Sequence, residues 1–250
     1  MSDEQPSEDM YKSQGIYDAL VNVGNVFGVG AQRQGKTIAG FQIAVEKAKH
    51  LRQPIYSFKH PNPMLLEEML GEWYFGDIDD INLLLWMQDC VIVCDEAHKT
   101  FTSMSRLMNQ KLANILSTSN QKAMSIIFIS QNFDVMPEQL MINYIDVVFI
   151  KKMIPNAIQE SSRRYAKNRY SDVAHKDKKT IFFHVTGTGE RAMLNSDLPE
   201  WWLDDVSQAY KKIPTDRAQA IFENKQQREK KKKQEAQRRP WGLTGVSRRG

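Results

Sequence analysis

Short apolar runs alternate along the chain with longer stretches whose apolar positions recur at helical spacing. Val91–Cys94, Ser125–Ser130 and Val147–Lys151 are continuous apolar runs, each bounded by polar or turn residues. Uninterrupted apolarity over so few residues marks strands covered on both faces, as in a parallel sheet. Asn25–Gly30 is a further short run, ending in glycine and followed by a helix-like segment, Lys36–His50. Ile55–Lys59 reads as another strand. Pro61-Asn62-Pro63 breaks the chain before a helix over Met64–Gly71, and Asn82–Met87 is expected as a short helix. Helices are also expected over Thr102–Ser119 and Glu138–Asn143. This alternation predicts an α/β fold, an open and mainly parallel central sheet flanked by helices on both faces.

Beyond Met153 the pattern changes. Ala157–Tyr170 is amphipathic, and Lys178–Glu190 predicts a strand and a Gly-Thr-Gly turn. Asp197-Leu-Pro-Glu-Trp-Trp opens a helix to about Tyr210, with Asp197 or Pro199 near its start. Residues 1–15 read as disordered, and no internal repeat is evident. The expected organisation is one folded body over 16–210, with a small addition from about 154, and a tail over 211–250.

Composition narrows the class. With 250 residues, 41% apolar and 10% aromatic, the chain has material for a sizeable core. Its apolar stretches, Leu83–Met87 and Val147–Ile150 among them, fall far short of the roughly 18–20 residues of a membrane span. The acidic N-terminus has no apolar segment of the signal-peptide kind. The two cysteines, Cys90 and Cys94, offer neither a disulfide framework nor a C-x-x-C pair and read as buried thiols. Aromatic pairs such as Trp201-Trp202 and Phe182-Phe183 read as core or interface.

Charge is unevenly placed. Residues 211–250 hold thirteen Lys/Arg against four Asp/Glu, a local balance of +9, so the chain's +4 leaves −5 for residues 1–210. The tail reads as a helix from about Thr215 to Arg239 that is polar all round. Such a helix buries no face: it is either solvated or paired with a polyanion. Lys230, Lys231, Lys232, Lys233, Arg238 and Arg239 are its candidate phosphate contacts.

Chemistry enters with Gly30-Ala31-Gln32-Arg33-Gln34-Gly35-Lys36-Thr37, a full match to G-x-x-x-x-G-K-[ST] between an apolar strand and a helix. Glycines let the backbone turn its N–H groups onto phosphate oxygens, and the helix N-terminus adds partial positive charge. Lys36 is a cation for the β- and γ-phosphates, and Thr37 offers a hydroxyl to Mg²⁺. About 60 residues on, Val91–Cys94 runs into Asp95-Glu96-Ala97-His98. At a strand's end beside such a loop, Asp95 completes the Mg²⁺ shell and Glu96 activates a water. Adjacent residues of an extended chain point opposite ways, which would separate the two roles. Together the motifs predict nucleotide hydrolysis rather than binding alone. The string Asp-Glu-Ala-His also occurs in helicases, but those have two tandem nucleotide folds and this chain has room for one; His98 is expected to pack or hydrogen-bond beside the site.

The third run, Ser125–Ser130, ends in Gln131-Asn132. If its strand lies between the other two, Gln131 meets the γ-phosphate. Gly30–Thr37, Val91–His98 and Ser125–Gln131 together resemble the FtsK–HerA superfamily of DNA-pumping ATPases, over about Asn25–Ile150. The short single-domain chain is most similar to viral genome-packaging ATPases, with zonula-occludens-toxin-like ATPases next. The resemblance implies a RecA-like fold, ATP and Mg²⁺ as cofactors, Glu96, Gln131 and Lys36 as catalytic residues, and a ring of identical subunits. It further implies double-stranded DNA as partner, capsid or portal protein as further partners, and the host cytoplasm or virion assembly site as location. Members usually carry an Arg some ten residues before the sensor Gln, reaching into the neighbouring subunit. Here that stretch is Ser119-Asn120-Gln121-Lys122, so Lys122, Arg106 or Arg163/Arg164 are the candidates for the role in trans. Two other readings compete: a phage-assembly or secretion ATPase, whose members carry a membrane helix, and a nucleotide-dependent nucleic-acid-binding or scaffold protein. The lack of an acidic cluster after the motor motifs argues against a nuclease-bearing terminase.

Overall fold

The computed structural model describes residues 14–101, 106–135, 137–153, 158, 163–170, 173, 180–195, 199–203 and 206, with backbone only for Gln14 and Arg106. The expectations for residues 1–13 and for the basic tail, including Lys230–Lys233, Arg238 and Arg239, lie outside these residues.

In chain order the elements are α1 Gln14–Val21, β1 Val26–Val29, α2 Lys36–Leu51, β2 Ile55–Phe58, α3 Pro63–Leu70, β3 Tyr74–Ile78, α4 Ile81–Leu84, β4 Cys90–Cys94 and α5 Ala97–Phe101. Then follow α6 Arg106–Ser119, β5 Met124–Ser130, α7 Glu138–Tyr144, β6 Val147–Ile150, α8 Arg164–Tyr170, β7 Thr180–Val185 and β8 Arg191–Asn195. The eight strands form one sheet in the order β3-β2-β4-β5-β1-β6-β7-β8. Pairing is parallel from β3 through β6. The last two pairs, β6–β7 and β7–β8, are antiparallel. The sheet is therefore mainly parallel and flanked by helices, as the sequence predicts.

Apolar runs without alternation arise because each strand feeds two cores. Ile92 and Cys94 of β4 and Ile126 and Phe128 of β5 face one cluster, which α5, α6 and α7 cover with Phe101, Leu112, Ile115, Leu116 and Met141. Their neighbours Val91, Val93, Ile127 and Ile129 face the other, covered by α2 and α3 with Phe41, Ala44, Ala48, Leu65 and Leu66. Cys90 and Cys94 share a face and are free and buried, and burial pushes both thiols up, Cys90 to about 12.

One buried amide joins the strands at their starts. Asn25 Nδ2 donates to Ser119 Oγ at 2.9 Å and to the Tyr144 carbonyl at 3.1 Å, while Asn25 Oδ1 accepts from the Ile126 N–H at 3.1 Å. At 2% exposure Asn25 has its side-chain groups satisfied within the fold, as burial requires.

Several elements depart from the sequence reading. α1, β3 and β8 are additional to it. The helix expected over Thr102–Ser119 begins earlier as α5, and α6 covers Arg106–Ser119; residues 102–105 are outside the described set. Of the predicted Ala157–Tyr170 helix, Ile158 and Arg164–Tyr170 are helical. Glu200 and Trp201 lie in a turn, and Trp202 and Leu203 in no regular element, so the helix expected to open at Asp197 or Pro199 does not run through these residues.

Candidate active site

β1 runs straight into the glycine loop. Gly35 sits in the left-handed region at φ 79° as the residue capping α2, and a Cβ on Gly30 would stand 2.9 Å from the Lys151 Cβ. Both positions therefore call for glycine, one for its dihedral and one for close approach. The backbone fixes that approach: Lys151 N–H donates to the Val29 carbonyl at 2.8 Å, and Ala31 N–H to the Lys152 carbonyl at 2.9 Å. Lys36 opens α2, is 5% exposed, and curls back so that Nζ donates to the Ala31 carbonyl at 2.9 Å. Burial lowers its pKa, against the opposing pull of Glu96 and Asp95.

The Thr37 hydroxyl lies 3.2 and 3.3 Å from the two carboxylate oxygens of Asp95, so the first turn of α2 sits against the residue that follows β4. Asp95 is 6% exposed. Burial, then the neighbouring Glu96 charge, pushes its carboxyl up to about 6, although Thr37 and the Glu96 N–H both donate to it.

β4 ends at Cys94, so Asp95 and Glu96 are not two residues of an extended strand. Glu96 takes a left-handed φ of 50°, and its carbonyl accepts from the Lys99 N–H at 2.8 Å as α5 begins. The separation of the two carboxylates thus comes from a tight turn, at a backbone cost of about 1–3 kcal/mol. The turn brings Glu96 Oε2 to three donors: Gln131 Nε2 at 3.2 Å, His98 Nε2 at 3.1 Å and Lys99 Nζ at 3.7 Å. Burial lowers the His98 pKa while Glu96 works to raise it.

Gln131 arrives from the strand between the other two: β5 pairs with β1 on one side and β4 on the other. The strand order thus brings the loop, the acidic pair and the amide to one sheet edge. Just after it, Arg163 Nη2 donates to the Asp134 carbonyl at 3.1 Å, and Arg163 Nε lies 3.8 Å from Asp134 Oδ1. Arg164 is exposed on α8. Lys122 precedes β5 and donates to the Leu85 carbonyl, so within this chain it stands at the opposite edge from the loop. The side chain of Arg106 lies outside the described residues. Lys99 and Lys151 are the residues that motif reading passes over; each is a lysine directly beside a recognised motif or strand end, and that adjacency is the available signal.

Solved structures of one viral protein match over nearly its whole length. The genome packaging NTPase B204 from Sulfolobus turreted icosahedral virus 2, in complex with AMP, aligns with a TM-score of 0.56 at 12% identity, covering 72% of this chain and 99% of B204. The chain shares the fold of that NTPase. The same protein with ATP-γS gives a TM-score of 0.55 at 13% identity over 70% of this chain and 97% of B204. B204 from Sulfolobus turreted icosahedral virus, described as a DNA-packaging ATPase, gives 0.54 at 12% over 70% and 98%. No protein-family model and no curated protein matches the sequence. Within this NTPase fold, the resemblance to packaging ATPases drawn from three motifs meets a likeness of architecture. Among the described residues, no helix is long and apolar enough to cross a membrane.

Proposed function

We propose that the chain is an ATP-hydrolysing motor that moves double-stranded DNA, packaging a viral genome into a capsid. The observation that carries the chemistry is the convergence of Lys36, Thr37, Asp95, Glu96 and Gln131 from three adjacent parallel strands, with Gln131 hydrogen-bonded to Glu96. The likeness to a fold solved with ATP-γS and described as genome packaging supports the rest.

In this reading the loop amides and Lys36 hold the triphosphate and withdraw charge from the γ-phosphoryl group. Glu96 takes the proton of a water as that water attacks the γ-phosphorus in line, and ADP leaves opposite. Gln131, bound to the same carboxylate, positions the pair of base and water. Asp95 and Thr37 fit Mg²⁺: they are hard oxygen donors already side by side, and the Asp95 carboxylate is buried with its charge only partly offset. The ion would supply charge neutralisation to the phosphates. Among the described residues no cluster of three His, Cys, Asp or Glu could hold a metal alone, in keeping with an ion that takes its remaining ligands from phosphate and water.

A homo-oligomeric ring, with Arg106, Lys122, Arg163 or Arg164 acting on the neighbour's phosphates, accounts for the missing Arg near Gln131. The basic tail, Lys230–Lys233 with Arg238 and Arg239, is assigned to DNA. Glu96→Gln is expected to keep ATP affinity and lower turnover about 10²-fold or more. ATPase rate with and without double-stranded DNA at two salt concentrations tests the motor: strong stimulation that fades with salt is expected. A rate indifferent to DNA would leave an ATPase that waits for a protein partner.

A further inference from the structure

The two ends of the sheet carry opposite charge. Residues 60–98 hold nine Asp/Glu and no Lys or Arg. Seven of the nine are exposed, with Glu72, Asp79 and Asp80 flanking the edge strand β3. Lys59, Lys111 and Lys122 border this end, too few to balance seven carboxylates. Large apolar side chains stand among the acids: Trp86 is 84% exposed, Phe75 65% and Leu83 50%.

α8 and β8 form the other end. Arg164, Lys167 and Arg169 are exposed on α8, and Arg191 of β8 donates through Nη2 to the Arg169 carbonyl at 2.6 Å. Among the described residues, the acids there are Asp134, which pairs with Arg163, Glu138, which accepts the Tyr165 N–H, and Glu190, which precedes β8. Four cations therefore face two acids once the Arg163 pair is set aside.

Both patches lie on one face of the sheet. Tyr56, which meets the Phe75 ring at 6.1 Å, packs into the same cluster as Leu84 of α4 and Tyr170 of α8. From β3 to β7 the sheet makes six strand steps, roughly 29 Å at about 4.8 Å each, so the two patches cannot meet within one chain. An exposed tryptophan beside carboxylates is a surface on which guanidinium groups both stack and pair. Aromatic and arginine side chains are also those that dominate contacts between proteins.

We infer that the acidic end of one subunit, centred on Trp86, docks on the basic end of a second copy at α8 and β8. The contact joins different patches on the two copies, so it repeats from subunit to subunit and closes a ring when the rotation allows. The inference rests on the ring reading above and names the surfaces that build it.

The test is sedimentation of the full chain with ATP, unaltered and as three variants. Glu72→Lys/Asp79→Lys reverses the acidic end, Arg164→Glu/Lys167→Glu reverses the basic end, and Trp86→Ala removes the aromatic anchor. Each is expected to weaken self-association about tenfold or more, and high salt to weaken that of the unaltered chain. Mixing the two charge-reversed variants should restore assembly, because every contact then joins opposite charges again. Unchanged association in both charge-reversed variants would overturn the inference, as would a mixture that fails to assemble although both partners melt normally. A basic-end variant that assembles normally but loses affinity for double-stranded DNA would make α8 a nucleic-acid surface and overturn it too. If the unaltered chain assembles and the variants do so equally, only this inference falls; if the unaltered chain stays monomeric at every concentration, the ring reading falls with it. Should a reversed variant not fold, hydrogen exchange of the unaltered chain decides. Slower exchange on assembly over both 74–86 and 164–170 supports the inference, and unchanged exchange over either overturns it.

Discussion

Asp95→Asn should make the nucleotide-free protein more stable while abolishing its activity. The Asp95 carboxyl is buried, and burial with the adjacent Glu96 charge holds it near 6, against an ordinary value of 3.8. At 1.36 kcal/mol per pH unit, the ionised form costs the fold up to about 3 kcal/mol, and relaxation around the charge brings a realistic figure to about 1–3 kcal/mol. The sign follows from linkage. Between pH 3.8 and 6 the folded state binds more protons than the unfolded one, so stability falls as pH rises through that window and the full cost is present above it. Asparagine removes the charge yet keeps an oxygen for the Thr37 hydroxyl and the Glu96 N–H, both of which reach Asp95 Oδ1. Urea and thermal unfolding in EDTA at pH 8 should show a gain of about 1–3 kcal/mol, or roughly 3–10 °C for a domain of this size. The gain should drop to about half at pH 5 and mostly vanish near pH 4. An Asp95→Asn variant less stable than the original at pH 8, or one whose gain is independent of pH, would refute the argument. Confirmation would mean that the carboxylate proposed to hold Mg²⁺ is kept at the expense of the fold, a common feature of active sites.

Gly30→Ala should weaken ATP binding and destabilise by about 1–3 kcal/mol, because the new methyl meets the Lys151 Cβ and a backbone carbonyl that cannot move aside; isothermal binding and melting curves check both. Gln131→Ala should lower kcat about 10²-fold with little change in ATP affinity, measured as steady-state turnover beside equilibrium binding. Lys47, fully buried and pushed down to about 8, should make stability rise with pH between 8 and 10.5, where the unfolded chain holds the extra proton; the difference between the original and Lys47→Met across that range isolates the effect.

What the sequence showed and what it hid divide along physical lines. β1, β4, β5 and β6 were legible because strands buried on both faces are apolar without interruption, and the loop and acidic pair because their chemistry is local in sequence. β3 and β8 were not, because they are the sheet's edges. Tyr74–Ile78 carries Gly76 and Asp77 and is exposed at alternate positions, while β8 begins with Arg191 and ends with the exposed Asn195. Edge strands need satisfy only one neighbour, so their pattern is weak. The left-handed turn at Glu96 was hidden for a different reason. A glutamate has no intrinsic preference for that conformation, and only the strand's end and the start of α5 impose it. The closeness of Lys151 to Gly30 was invisible because strand order, not sequence distance, sets the two side by side. The position of Lys122, tied to Leu85 at the opposite edge, likewise follows from topology alone.

Asn25 lies at the other end of the sheet from the chemistry, yet its bonds fix the alignment of β5 against β1 and the approach of α6 and α7. β5 is a seven-residue strand, so Ile126 and Gln131 are separated by roughly 17 Å of extended backbone. A shift of one residue at the near end would carry Gln131 past Glu96 at the far end and turn its amide to the opposite side of the sheet. The placement of the Gln131 amide against Glu96 is therefore decided by a carboxamide at the far end of the sheet.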